Sequence, residues 1–261
     1  MRAMRLLGTH WRIAAMNELQ YRANFFVQLL HSGLSLVTGL IAIWLVFQYT
    51  PSLGGWSQPE LLIVMGIHII VGAVLRSFIE PNMRRLMDDV ELGTFDYVMT
   101  KPVDPQILAS IRELRVWHLV DFVLGGLVLG YGMIQLSTTT SALDVVAFGA
   151  TLLAGVLMVY CVWIMITSTA FRVVRSQEVL NLFEGFYQTG RWPVTIYPVW
   201  LRGTLTFVIP LAFAITVPAE ALSDRLSAAT VVLAMSFAVV IVVVSRAVWR
   251  MNLKHYSGAS A

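Results

Sequence analysis

The sequence predicts an all-α integral membrane protein with six transmembrane helices. Three observations carry that reading: 57% apolar against 13% charged residues, a mean hydropathy of +0.74, and long apolar runs separated by short polar connections. Soluble chains carry roughly 25% charged residues. A chain this poor in charge and this rich in apolar surface is neither a soluble enzyme nor a disordered or fibrous protein. Each span takes about 20 residues, so six of them with their connections use up the 261 residues. No sizeable extramembrane domain fits, and the whole chain reads as a single transmembrane domain.

In chain order, residues 1–22 come first. Met4, Leu7, Trp11 and Ala14 recur at helical spacing, with Arg5 and Arg12 on other faces. That pattern predicts an amphipathic helix lying in the membrane interface. The first span follows at 25–49, too late and too long for a signal-peptide core. The second, at 61–79, is preceded by the turn-rich PSLGGWSQP. The largest polar connection runs over 81–115. Within it Met83, Leu86, Met87 and Val90 fall at i, i+3, i+4 and i+7, with Arg84, Arg85, Asp88 and Asp89 around them. This is a short amphipathic helix stopping near Gly93, and its apolar face calls for a cover, a protein partner or the membrane surface. Spans follow at 116–136, 143–171 and 228–244. In the third, Gly126 and Gly130 make a G-x-x-x-G, with Gly125 and Gly132 nearby, a spacing that lets helices approach closely.

Between 176 and 224 the pattern breaks. Residues 179–187 are apolar but carry Glu184, and Pro193, Pro198, Pro210 and Pro218 follow. Each proline removes a donor and kinks a helix, and irregular backbone at membrane depth is tolerated only against protein or a water-filled cavity. The expectation is a short fifth span at 177–192 and then a re-entrant segment at 193–224.

Charge tests the topology. Arg2, Arg5, Arg12 and Arg22 precede the first span, and Arg84, Arg85, Lys101, Arg112 and Arg115 lie between the second and third. Arg172 and Arg175 follow the fourth, and Arg246, Arg250 and Lys254 follow the last. The connections at 50–60 and 137–142 hold no Lys or Arg. By the positive-inside rule both termini are cytoplasmic. The net charge of +3 and pI near 9.2 thus read as topology and not as a nucleic-acid footprint, so no nucleic-acid partner is expected. The single cysteine, Cys161, excludes an internal disulfide and reads as a small buried hydrophobe.

Glu184 and Asp121 are the intramembrane carboxylates, and Arg76, His31, His68 and His118 are also ionisable. An ionisable group inside a membrane is by default a functional hypothesis. No metal-ligand spacing and no catalytic constellation occurs, and neither G-x-x-x-x-G-K-[ST] nor G-x-S-x-G is present.

Four segments then become recognisable: ELQYRANF (18–25), GTFDYVMTKPVDPQ (93–106), GRWPVTIYPVWLRGTLTFVIPLAFAITVPAEAL (190–222) and HYSGASA (255–261). With the order of spans, they make the chain resemble a permease of the type-2 ATP-binding-cassette (ABC) exporter superfamily, in its bacterial six-span branch. That resemblance implies a subunit of the bacterial cytoplasmic membrane. It would pair with a second permease, same or homologous, and with two separately encoded ATPase subunits. No cofactor is expected on this chain; ATP and Mg belong to the partner ATPase. The resemblance also implies a coupling helix at Met83, Arg84, Arg85, Leu86, Met87, Asp88, Asp89 and Val90, with Lys101, Pro102 and Asp104 positioning the loop of 81–115. The segment with Arg191, Pro193, Pro198, Pro210 and Pro218 would be an external re-entrant cap on the substrate path. A contrasting reading is a proton- or ion-coupled secondary carrier titrating Glu184 or Asp121, told apart by its energy source. A third is an assembly protein without transport activity. Neither cargo nor direction is carried by any residue.

Overall fold

The computed structural model describes residues 22–137, 141–172 and 177–256. The expected interfacial helix at 1–22 lies outside the described residues apart from Arg22, the first residue of α1, as does most of the C-terminal motif. Among the described residues every regular element is helical, and the one β contact is an isolated bridge between Leu53 and Trp56.

Helix α1 (Arg22–Phe47) carries no Asp, Glu, Lys or Arg beyond its first residue and exposes Phe26, Leu30, Leu34, Val37 and Ile41, as a lipid-facing helix does. A turn with Gly54 and Gly55 at positive φ leads to α2 (Gln58–Val74). Ser57 caps it: its backbone N–H donates to Glu60 Oε2 at 2.6 Å and its hydroxyl lies 2.8 Å from the same oxygen, with Pro59 in the first turn. From α2 the chain passes through a π-helical turn at Leu75–Ile79 directly into α3 (Glu80–Glu91). The two form one helical run, Gln58–Glu91, of 34 residues. Sequence reading separates a second span from a loop helix at Pro81. The structure fuses them, because the wider turn takes up the proline where an unbroken α-helix would kink. Gly93, at φ +69°, ends the run.

The return passes through α4 (Asp96–Met99) and α5 (Pro105–Ala109) to a 3₁₀ turn at Val116–Leu119 and α6 (Val120–Leu136). Helix α7 (Ala142–Ser168) starts at a reciprocal cap. Ser141 N–H donates to Asp144 Oδ2 at 2.8 Å, and Asp144 N–H donates to Ser141 Oγ at 3.3 Å. Then come α8 (Gln177–Thr189), α9 (Val199–Gly203), α10 (Val217–Leu222) and α11 (Ala228–Leu253). The segments Val199–Val208 and Ala212–Leu222 form a broken hairpin bent by 80°.

Helix α2 is the axis of the bundle. Its middle is almost wholly buried, with α6 along one side and α1 and the hairpin on others. The approach of α6 depends on glycine: a Cβ on Gly66 would lie 2.6 Å from Leu129 N, and one on Gly132 3.0 Å from Ile63 N. The helix–helix contact thus uses Gly125 and Gly132, while Gly126 and Gly130 of the G-x-x-x-G face open space. On the far side α7 packs with α11 and receives the hairpin's second arm, where a Cβ on Gly155 would meet Ala214 Cα at 2.3 Å.

Among the described residues five helices are long and apolar enough to cross a membrane: Asn24–Phe47, Gln58–Glu91, Val116–Leu136, Ala142–Phe171 and Ala228–Leu253. The bent pair Val199–Val208 and Ala212–Leu222 makes a sixth if it is one span. Helix α8 has 13 residues, about 20 Å at 1.5 Å per residue, against a hydrocarbon core of about 30 Å. It stops where Gly190 meets His68 in the middle of α2.

Candidate functional site

Three places gather the polar side chains: the elbow at one end of the bundle, a cavity at membrane depth, and a clamp at the opposite end.

At the elbow, the apolar face of α3 is not left uncovered. Met83, Leu86 and Met87 are buried at 0%, 1% and 4% exposure against the chain's own core, and Val90 is half-buried. The sequence pattern shows that this face needs a cover but cannot show that α5 and the end of α7 supply it. Asp89 is buried too, paired with Arg112 and with Arg85 (3.3 Å) and bonded by Thr94 Oγ1 at 3.0 Å. Arg84 pairs with Glu80 at 2.8 Å. Facing outward are Arg85, Asp88, Glu91, Leu92, Tyr97, Met99, Lys101 and Pro102.

Two links fix the elbow to the bundle. Asp104 accepts from the backbone N–H of Gln106 at 2.9 Å, capping α5, and pairs with Arg246 near the end of α11. The Arg246 guanidinium holds the Asp104 carboxyl below the usual carboxylate range, against a partial burial that pushes it up. Beside it Phe95 meets Phe171 at 5.2 Å and Tyr256 at 5.5 Å, and Phe171 meets Trp249 at 5.2 Å. These rings join the loop to the ends of α7 and α11. Sequence reading missed Asn82 and Arg246; an Asn amid the apolar spacing of α3 was the available signal.

The cavity, of about 220 Å³, lies between α1, α2, α6 and α8. His31, Ser32 and Ser35 line it from α1, His68 and Arg76 from α2 and its π turn, and Asp121 from α6. Glu184 and Gln188 come from α8, with Arg191 just beyond. Buried Asp121 pairs with Arg76 at 3.4 Å and has His118 Nδ1 at 3.7 Å. Glu184 accepts from Gln188 Nε2 at 2.9 Å, and Gln188 Oε1 accepts from Arg191 at 3.3 Å. The structure therefore brings both sequence-predicted carboxylates and Arg191 to one space.

At the opposite end, Arg225 grips Glu60 with two bonds, 2.6 and 3.1 Å, donates to Gly55 O at 2.7 Å, and lies 5.0 Å over the Trp56 ring. Trp56 Nε1 donates to Thr195 Oγ1 at 2.9 Å. The clamp ties the start of α2 to both ends of the segment 193–224. Within that segment Pro193 and Pro210 are buried, Pro198 is exposed ahead of α9, and Pro218 sits in the first turn of α10.

A charge-poor bundle, an elbow at one end and a broken hairpin at the other define a polytopic helical membrane protein. Residues 34–260 match the family model described as ABC-2 family transporter protein. The chain belongs to that family: it is a multi-pass permease of an ABC transporter, a membrane component without its own ATPase site that associates with ABC ATPase subunits. No match is found to a curated protein or to a solved structure.

Proposed function

We propose that the chain is the membrane-spanning subunit of an ATP-driven exporter. It forms the substrate path with a second permease, the same or a homologous chain, and is driven by two ATPase subunits that bind ATP and Mg. Its membrane is the bacterial cytoplasmic membrane, with both termini inside.

The observation that carries this reading is the construction of the elbow. Its apolar face is spent on holding α3 to the bundle, and its outer face is left as a compact mixed surface. That surface holds Leu92 and Tyr97, at 72% and 74% exposure, beside Asp88, Glu91 and Lys101. Large exposed side chains flanked by charge suit a protein interface. The fixed links to α7 and α11 suit it to pass a rigid-body push into the spans. The basic residues Arg84, Arg85, Arg112 and Arg246 gather at this same end, which supports placing it in the cytoplasm.

The test is gentle-detergent co-purification of the tagged chain, followed by ATPase assay. The ATPase is expected to co-purify with wild type and to fall at least tenfold with Asp88→Arg combined with Tyr97→Ala, while the variant stays monodisperse. Undiminished co-purification with that variant overturns the docking surface. Transport that survives ATP depletion but stops with a protonophore would replace the reading by an ion-coupled carrier, with Glu184 the residue to substitute.

A further inference from the structure

We propose that the cavity between α1, α2, α6 and α8 binds a zwitterionic group, its anionic end at Arg191 and its cationic end at Glu184. Two of the charges lining the cavity already serve each other: Arg76 is paired with Asp121. Glu184 and Arg191 are not so paired. Among the described residues neither has an ion-pair partner within 4.0 Å, and each contacts a different end of the same Gln188 amide. A carboxylate and a guanidinium are thus held at fixed separation by one neutral group, facing a space inside the membrane where uncompensated charge is expensive. A lone anion satisfies Arg191 and opposes Glu184, and a lone cation does the reverse. A ligand with both charges, spaced like the amide that separates the two side chains, satisfies each.

His68 points the same way. It lines the cavity at 6% exposure, and its Nδ1 is buried without a hydrogen-bond partner, beside Gly190 and so one residue from Arg191. Stacking on Tyr187, with ring centroids 4.5 Å apart, holds the imidazole in place. Buried polar atoms are nearly always satisfied, and a ligand's polar end beside Arg191 supplies what Nδ1 lacks.

Size limits the ligand. At about 220 Å³ the cavity is smaller than the roughly 300–1,000 Å³ of pockets that engulf whole small molecules. It accommodates a headgroup rather than a whole lipid. A phospholipid headgroup and a free zwitterionic solute share this chemistry.

The full-length chain is placed in phosphatidylglycerol nanodiscs doped with a phosphatidylethanolamine carrying a diazirine beside its headgroup, and crosslinks are mapped by mass spectrometry. Crosslinks are expected in the peptides containing Ser35 and Ile69, at least tenfold fewer with Arg191→Gln or Glu184→Gln. A matching anionic phosphatidylglycerol probe is expected to label them at least tenfold less than the zwitterionic one. Competition by millimolar phosphoethanolamine would show that the free solute suffices; persistence against it would show that the lipid chain is required. Equal labelling by the two probes in the wild-type chain overturns the proposal and needs no folded variant. So does labelling that neither substitution changes, or labelling confined to the outer faces of α7 and α11. Binding is independent of the exporter reading, whereas naming the bound group as cargo rests on it. The nanodiscs contain no ATPase, so failure of the docking surface leaves this result intact.

Discussion

The side chain of Asn82, 1% exposed, uses its whole bonding capacity inside the elbow. Its amide nitrogen donates to Phe78 O at 2.6 Å and Glu113 O at 2.9 Å, and its oxygen accepts from the N–H groups of Arg112 at 2.7 Å and Glu113 at 2.9 Å. Asn82→Ala would strand three backbone groups, the N–H of Arg112 and both the N–H and the carbonyl of Glu113. Each unsatisfied buried group costs about 1–3 kcal/mol, and water reaching some of them brings the expected total to about 3 kcal/mol. The check is a lower unfolding midpoint in detergent, and Asn82→Asp, which sets an acceptor against two carbonyl oxygens, should be worse still. An unshifted midpoint would mean that α3 is held by its apolar face alone. Asp104 allows a signed test. Its folded pKa is depressed by Arg246, so its contribution is present above the unfolded value of about 3.9 and is lost as pH falls through the folded value. Asp104→Asn should therefore destabilise the chain near neutral pH, by a gap that closes in strong acid. A gap that stays constant with pH would show that the ion pair contributes nothing.

At the scale of elements, glycine contacts decide which helices move together. Gly155→Ala would drive a methyl group into the backbone of Ala214 and Phe213 and should unseat the hairpin from α7. Gly126→Ala and Gly130→Ala meet open space and should leave the fold intact, gaining up to about 1 kcal/mol each in helix propensity. Thermal unfolding of the three variants decides between this pattern and one in which the G-x-x-x-G is the contact. The contrast shows what the sequence carries. Apolar runs at 116–136 and 143–171 coincide with Val116–Leu136 and Ala142–Phe171, because span length is a local property. The last run, 228–244, falls short of Leu253, since Arg246 and Arg250 end the apolar stretch but not the helix. The spacing of Met83, Leu86 and Met87 gives the helix and its face; what covers that face comes from residues far along the chain. The cavity was invisible for the same reason, because His68, Asp121 and Glu184 come from three segments with no common motif.

For the whole molecule the two ends make opposite predictions about sidedness. Leu92 and Trp200, each 72% exposed, mark the elbow and the hairpin. The native Cys161 is 1% exposed and should give no background with a thiol reagent. With a membrane-impermeant maleimide on intact spheroplasts, Trp200→Cys should label at once and Leu92→Cys only after permeabilisation. Labelling of both from one side would overturn the six-passage topology.

The fused run Gln58–Glu91 also has the proportions of a lever. At 1.5 Å per residue its 34 residues reach about 51 Å. The tight contact of Gly66 with α6 makes a natural fulcrum, dividing the rod into arms of about 38 Å toward Glu91 and about 12 Å toward Gln58. A 3 Å stroke at the long arm then arrives as about 0.7 Å at the Glu60–Arg225 clamp, with the force multiplied about fourfold. Such gearing trades distance for strength, which suits prying apart a packed hairpin better than swinging it wide.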